Sequence, residues 1–506
     1  MLPFQEPESG QTSYHPAEEI LYPFPISAKY VGELFQNCSD FQTRQIRFGD
    51  ENAISVTVCW VEGLTAGGDL SEDVLRPLTQ PARMVGVRSE EEAIRRILLG
   101  AVYSYSVRRR ETCDDLVRDL LNGNCAVIFE KCHAAVTFEV KSDKMRSIEQ
   151  SSLEKTIKGA KDAFIETLRV NTALVRKKLR SPKLKSKESV IGRKSGTLIS
   201  IMYLEGVAED HRVQELEKRL GEIDVDGLIA SGFLEQYIVD QPASPFPQLL
   251  HTERPDTFAG YLLEGRIGIL VDGLPIGFLV PAQLSQFMLV SEDRAQHFTV
   301  ASMLILLRYA GLILALFLPA MYVAIAMYHQ EMLPTKLLLS IIDAKQKVPF
   351  STAAEVLGML IAFELLQEAG LRLPSPIGDT VSIIGALIVG QSAVEARIIS
   401  PIPVIIVAFS GISSYTLPSQ DLASAVRVCR LLLVFAAMAG GIFGVMTGGI
   451  LLIWHLCSLE SYGISYLYPL VDGKSDGWLW VLLRKPLWKD RWRNPVIAGK
   501  DLRKQK

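Results

Sequence analysis

Polar and apolar positions are arranged differently in the two halves of the chain. Up to about Gln296 they are mixed, as in a soluble domain; from Phe298 to Leu459 they form long apolar runs; after Arg484 the chain is basic. In the first half, Ala53–Val61 (AISVTVCWV) alternates with Ile54, Val56, Val58 and Trp60 on one face, the signature of a half-buried strand. Cys125–Glu130 and Ala134–Val140 read as two strands joined by a short turn, and Glu111–Leu121 reads as a helix. These elements predict an α/β lobe over residues 27–141, after a flexible N-terminus of residues 1–26.

A second α/β lobe is expected over residues 150–290. Leu153, Ile157, Ala160, Phe164, Leu168, Val175 and Leu179 fall on one helical face, ending before Ser181-Pro182. Leu198–Leu204 reads as a buried strand, and Val213, Leu216, Leu220 and Ile223 mark a further helix. Ile267–Val271 and Ile276–Val280 read as strands around Asp272-Gly273-Leu274-Pro275. Helix–strand alternation in both regions hints at related lobes, without a convincing sequence repeat.

Spanning a bilayer takes about 20 apolar residues. Phe298–Met327, Thr352–Gly370, Ile398–Leu417 and Leu431–Cys457 meet that need. The Gly- and Ser-rich segment 377–393 reads as a thin or re-entrant helix, tolerated at membrane depth only where protein or water covers it. Pro334–Lys347 is amphipathic and suits a membrane interface or an ordinary loop helix. The overall expectation is a two-lobed α/β cytoplasmic domain followed by a polytopic α-helical membrane domain, residues 298–460, and a basic cytoplasmic tail, residues 461–506. Basic flanks stay cytoplasmic, so both ends lie on that side, and four spans plus one re-entrant segment fit.

Composition adds little: 506 residues, 48% hydrophobic, formal net charge −3. The opening MLPFQEPESGQTSYHP lacks the basic and apolar regions of a signal peptide, so the first half is expected to stay in the cytoplasm. Seven cysteines without a framework read as buried free thiols; Cys125, Cys132 and His133 fall short of a zinc set. Arg176–Lys187 reads as a solvated helix end, with anionic headgroups as the other reading; nucleic acid is not an expected partner. No Walker loop, nucleophile elbow or His-Glu-x-x-His motif is present, so no enzyme, cofactor or metal is expected. Asp224 and Asp226 resemble the start of a calcium loop, but the other ligand positions do not follow.

Ionisable residues in membrane segments are the candidates for function. Glu364 and Glu368 lie four apart on one helix face; they either line an aqueous path or pair with Arg308. Asp379 and Glu395 bracket the Gly-rich segment and would ring the mouths of a cation-selective pore; the plainer reading is structural pairing near the bilayer boundary, with Glu368 and Glu395 sitting in headgroups.

Several long blocks resemble the GerA family of spore germination A subunits. They include AFIETLRVNTALVRKKLRSPKLK (163–185), IDVDGLIASGFLEQYI (223–238), LLEGRIGILVDGLPIGFLVPA (262–282), FELLQEAGLRLPSPIGDTVSIIGALIVGQSAVEA (363–396) and HLCSLESYGISYLYP (455–469). The resemblance implies a multi-pass protein of the spore inner membrane with a cytoplasmic N-terminal domain. It implies work with a transporter-like B subunit that binds the nutrient and a lipoprotein C subunit. It further implies a homo-oligomeric ring, expected to be a pentamer, around a pore that releases monovalent cations when a germinant binds. Ser382, Gly385 and Gly390 would then line the pore with Asp379, Glu395 and Glu364. The family's stage V sporulation paralogue, a non-conducting scaffold for receptor assembly and, more weakly, a secondary transporter stay open. Two positions depart from the family pattern: Gly159-Ala160-Lys161-Asp162 lacks an expected proline, which would let the long helix start earlier, and Gly411 stands where a larger residue is expected.

Overall fold

The computed structural model describes residues 22–49, 54–80, 84, 86–102, 104, 106–142, 154, 158–372, 390–471 and 477–505. They form two compact units: residues 1–147 with 172–187, and residues 148–171 with 188–506.

The first unit is built on five antiparallel strands, β1 (Phe41–Phe48), β2 (Ile54–Val61), β3 (Val107–Arg110), β4 (Cys125–Phe129) and β5 (Ala134–Phe138), in the order β1-β2-β4-β5-β3. The β2 strand is buried on both faces rather than one. Ile54, Val56 and Val58 join Leu70, Val74 and Ile94 on one side. Cys59 and Val61 join helices α1 (Ala28–Leu34) and α3 (Cys113–Leu121) on the other, through Val31, Leu116 and Leu120. A third helix, α2 (Glu90–Arg96), covers the first face with Ile94. Small polar side chains start these helices: Ser27, Ser89 and Thr112 each accept a backbone N–H of the first turn.

The basic run is mixed: Lys177, Lys178, Arg180 and Lys183 are exposed, as a solvated helix end would be, whereas Arg176 and Lys185 are buried. Arg176 is 0% exposed, and its guanidinium forks onto both carboxylate oxygens of Asp40, which is equally buried. Arg176 also donates to the Leu184 carbonyl at 3.2 Å, and Lys185 donates to the Leu34 carbonyl at 3.0 Å. A charge at a helix C-terminus was the visible signal; Asp40, far away in sequence, decides its use.

Helix α4 (Leu168–Lys178) starts later than the periodicity predicts. Of the expected helical residues before it, 153 and 155–157 lie outside the described residues. Residues 158–167 are not helical. Phe164 is pulled to the second sheet: its N–H donates to the Glu253 carbonyl and its ring meets Phe258 edge-on at 5.5 Å. Asn171 grips both the N–H and the carbonyl of Ile165, and the Asp272 carboxylate accepts the Leu168 N–H. Tertiary partners thus satisfy backbone groups that a longer helix would use internally.

The second sheet has strands β6 (Leu184–Ile191), β7 (Thr197–Leu204), β8 (Leu250–Thr252), β9 (Ile267–Val271) and β10 (Gly277–Val280), in the order β6-β7-β9-β10-β8. Counted along each lobe, this is the same order as in the first sheet, so the two lobes share one topology. Helix α5 (Asp210–Gly221) buries Val213, Leu216 and Leu220 as the sequence predicts; α6 (Ser231–Ile238) and α7 (Pro255–Leu263) complete the lobe. Phe258 lies over Gly268 and Gly277, where any Cβ would sit within 2.7 Å of its ring. Asp224 and Asp226 pair with exposed Arg193 and Lys194 across a turn.

The same unit continues into α8 (Phe298–Tyr328), α9 (Thr335–Gln346), α10 (Thr352–Arg372), α11 (Pro401–Tyr415) and α12 (Gln420–Ser458). Helix α9 is amphipathic as expected and buries none of its residues. The expected span Leu431–Cys457 is broken in the middle. Gly440 and Gly441 leave helical geometry, Gly441 at φ +57°, and a Cβ on Gly448 would lie 3.5 Å from the Ala436 Cβ. A continuous helix would separate those two residues by about 18 Å. Helix α12 is therefore a hairpin of two antiparallel arms, closed by Gly444 and Gly448, each arm about 25–30 Å long. Its apex meets the end of α8, where the Tyr328 hydroxyl donates to the Met438 carbonyl at 2.6 Å. Both feet rest on the second lobe: Asp421 meets His251 at 3.2 Å, and His455 meets Ser244 at 2.9 Å.

The described part of the bundle thus has five packed helical segments: α8, α10, α11 and the two arms of α12. The segment 377–389 lies outside the described residues. The basic tail is also not a loose flank. Tyr462 enters the core of the second lobe beneath Arg219, Tyr466 is fully buried, and Arg212 donates to the carbonyls of Val496 and Ile497.

Two predictions follow from this packing. Asp40→Ala should destabilise the full chain by about 3–5 kcal/mol, because it strands a buried guanidinium; Asp40→Leu with Arg176→Met should recover much of the loss in a thermal-unfolding comparison. Ala436→Cys with Gly448→Cys should form a disulfide under mild oxidation, since the 3.5 Å Cβ separation suits one; mass spectrometry of the linked peptides would read it, and a straight helix would give none.

Candidate functional site

Three helices meet at one charged cluster, which is tied to a fourth. Arg427 and Arg430 lie three apart on the first arm of α12, hence on one face. Both reach Glu364 on α10: Arg430 Nη2 donates to it at 2.5 Å and Arg427 Nη1 at 3.3 Å. Arg430, 1% exposed, also donates to the Ser410 hydroxyl on α11 at 3.3 Å. Ser410 in turn donates to the Ala315 carbonyl on α8 at 3.0 Å. One hydrogen-bonded chain therefore links α12, α10, α11 and α8.

Its charge balance is two guanidiniums against one carboxylate, an excess of one positive charge. Among the described residues, the Nε atoms of Arg427 and Arg430 are buried without a partner. The helices approach closely enough for these bonds because small residues line the contacts. A Cβ on Gly311 would strike Thr416, and one on Gly411 would come within 2.5 Å of the Phe363 ring. Gly411 is thus small because Phe363 occupies the space.

A second carboxylate is spent in the same way. Glu355 on α10 is 2% exposed and accepts from the Ser400 N–H at 2.7 Å and its hydroxyl at 2.5 Å. This contact joins the N-terminal ends of α10 and α11, so the two helices run in the same direction.

The structure places the expected site residues apart. Glu364 is paired, with Arg427 and Arg430 in place of Arg308. Arg308 instead forks onto Asp293 at 2.5 and 3.0 Å and donates to the Met288 carbonyl at 3.0 Å, at the foot of α8. Glu368 lies one turn beyond Glu364 and is exposed. Glu395 is exposed and accepts from Gln391 at 2.9 Å. Gly390 is buried, and a Cβ there would lie 3.3 Å from Val404 on α11. Asp379, Ser382 and Gly385 lie outside the described residues. Sequence reading missed Arg427, Arg430 and Glu355. Each lies at the end of an apolar run, where charge reads as a boundary; the i, i+3 spacing of the two arginines was the available signal.

Two α/β lobes of one topology, carried by a chain that continues into a helical bundle braced by buried ion pairs, define the class of protein. The 31-residue helix Phe298–Tyr328 and the 39-residue hairpin Gln420–Ser458 carry stretches long and apolar enough to cross a membrane; Pro401–Tyr415 is apolar but shorter. Thr352–Arg372 carries Glu355, Glu364, Glu368 and Arg372, which sets it apart from them.

The chain belongs to the Bacillus/Clostridium GerA spore germination protein family, whose profile matches residues 29–496. It is 40% identical to the Bacillus subtilis membrane protein YfkQ over 90% of this chain and 87% of that protein. It is 35% identical to Bacillus subtilis spore germination protein KA over 94% of this chain and 88% of that protein. It is 32% identical to Bacillus subtilis stage V sporulation protein AF over 74% and 76%, respectively. The crystal structure of the N-terminal domain of the A subunit of the Bacillus megaterium spore germinant receptor GerK3 matches with 31% identity and a TM-score of 0.41, covering 51% of this chain and 93% of that one.

Glu364→Leu should lower the unfolding temperature of the detergent-extracted protein and its folded yield, because it leaves two arginines facing apolar helices. Glu364→Leu with Arg430→Met should lose less than the single change, as read by size-exclusion profile and thermal melt.

Proposed function

We propose that the chain is the A subunit of a spore nutrient-germinant receptor, crossing the spore inner membrane with its lobes and tail on the cytoplasmic side. The family match over residues 29–496 carries this reading. The tail folded on the second lobe agrees with both ends lying on one side. In this reading the chain assembles as a homo-oligomeric ring, with a transporter-like B subunit and a lipoprotein C subunit as partners, and the ring passes cations when a germinant binds. The amphipathic α9 helix lies at the membrane interface among lipid headgroups.

Charge assigns roles within that pore. Glu364 is neutralised by two arginines, so it braces helices rather than attracting cations. Glu395, exposed and bonded among the described residues to neutral Gln391, is placed to face permeating ions. Asp379, with Ser382, Gly385 and Gly390, belongs to the proposed lining.

The 32% identity to stage V sporulation protein AF supports a second reading, ion conduction downstream of nutrient sensing. Spores lacking the chain separate the two: loss of the response to nutrients alone favours the receptor, and an intact nutrient response with slowed later ion release favours the paralogue.

Purified protein in planar bilayers tests conduction. The expected result is a cation-selective current, with selectivity or conductance changed by Asp379→Asn or Glu395→Gln. Glu364→Gln should affect the amount of folded oligomer more than selectivity. Silence from a folded oligomer with its partner subunits present would leave a non-conducting scaffold.

A further inference from the structure

Three ligand-type side chains from three elements converge where the second lobe meets the foot of the α12 hairpin. They are Glu235 on α6, His251 on β8 and Asp421 in the first turn of α12. One ligand atom of each lies within 4.8 Å of the other two.

Each side chain is aimed there by its neighbours. In β8, Leu250 and Thr252 are buried, so His251 projects from the opposite face of this edge strand. On α6, Leu234 and Ile238 are buried in the core of the lobe, which turns Glu235 outward. On α12, Leu422 and Ala425 are buried, which fixes the rotation of the turn that carries Asp421.

The charge balance also favours a cation. His251 Nδ1 lies 3.2 Å from Asp421, which leaves the Glu235 carboxylate facing Asp421. Among the described residues, Glu235 is bonded to no lysine or arginine. Two carboxylates thus converge on one imidazole.

We propose that Glu235, His251 and Asp421 bind a divalent transition-metal ion of the zinc or manganese class. One imidazole nitrogen with two carboxylate oxygens suits these ions better than calcium or magnesium, which favour all-oxygen shells. Three protein ligands leave a position for water. The bound ion ties the edge strand and α6 of the second lobe to the hairpin's first foot, so it couples the lobe to the helical bundle. This site does not depend on the germination reading.

The test uses tag-free full-length protein in detergent, stripped with a chelator and titrated with Zn2+ and then Mn2+ by calorimetry, with thermal melts in parallel. The expected result is one equivalent bound and a raised unfolding temperature. His251→Ala should weaken binding by about 100-fold or more, at or beyond the cost of losing an outer-shell partner. Asp421→Asn and Glu235→Gln, which preserve shape, should each weaken it, and His251→Cys should retain Zn2+ binding through its thiolate. Failure of the stripped wild type to bind either ion would overturn the proposal. So would equal affinity in wild type and in a folded Glu235→Gln/Asp421→Asn variant, which would place the ion elsewhere.

Discussion

A charged group in an apolar helix bundle must find its partner inside the protein, and that constraint organises the helical half of this chain. Glu364 cannot be left alone beside Phe363 and Leu365, and Arg430 cannot be left alone among Leu433 and Val434. Their contact, extended through Ser410 to the Ala315 carbonyl, fixes the mutual rotation of four helices. Removing a buried ion from water costs several kcal/mol, and only good geometry with further hydrogen bonds offsets it. The network therefore specifies one arrangement of helices more than it adds raw stability.

The same logic recurs in the α/β lobes. Arg176 and Asp40 are both withdrawn from water and matched by a two-point contact, which suits the planar guanidinium. Arg308 and Asp293 repeat it at the foot of α8. Apolar contact supplies the rest. Each sheet is sandwiched between apolar side chains on both faces, and a common strand order puts the same connections to use in both lobes.

Glycine shapes the hairpin where side chains could not. Gly441 adopts a left-handed conformation beside Tyr328 and His329, with 3.0 Å to the nearest atoms from any added Cβ. Gly444 and Gly448 then allow the two arms to touch. The result places both feet of α12 against the second lobe, so movement of that lobe and movement of the hairpin are mechanically linked.

Much of the architecture was legible in the residues. The strands at Ile54–Val61, Cys125–Phe129, Ala134–Phe138 and Ile267–Val271 follow from local apolar patterning, as does α5, because burial repeats with the period of the element. The family was legible too, since long blocks at correct spacing carry it. Strands β1, β3, β6 and β8 were not, because FQTRQIRF, VRRR, LKSKESVI and LHT are too polar or too short to signal burial that neighbours impose. The late start of α4, the break in α12 and the partners of Glu364 and Arg308 were decided only by the tertiary structure. Periodicity reports what one segment can bury, whereas a backbone N–H accepted by Asp272, or a carboxylate met by Arg430, depends on residues distant in sequence that folding brings within about 3 Å.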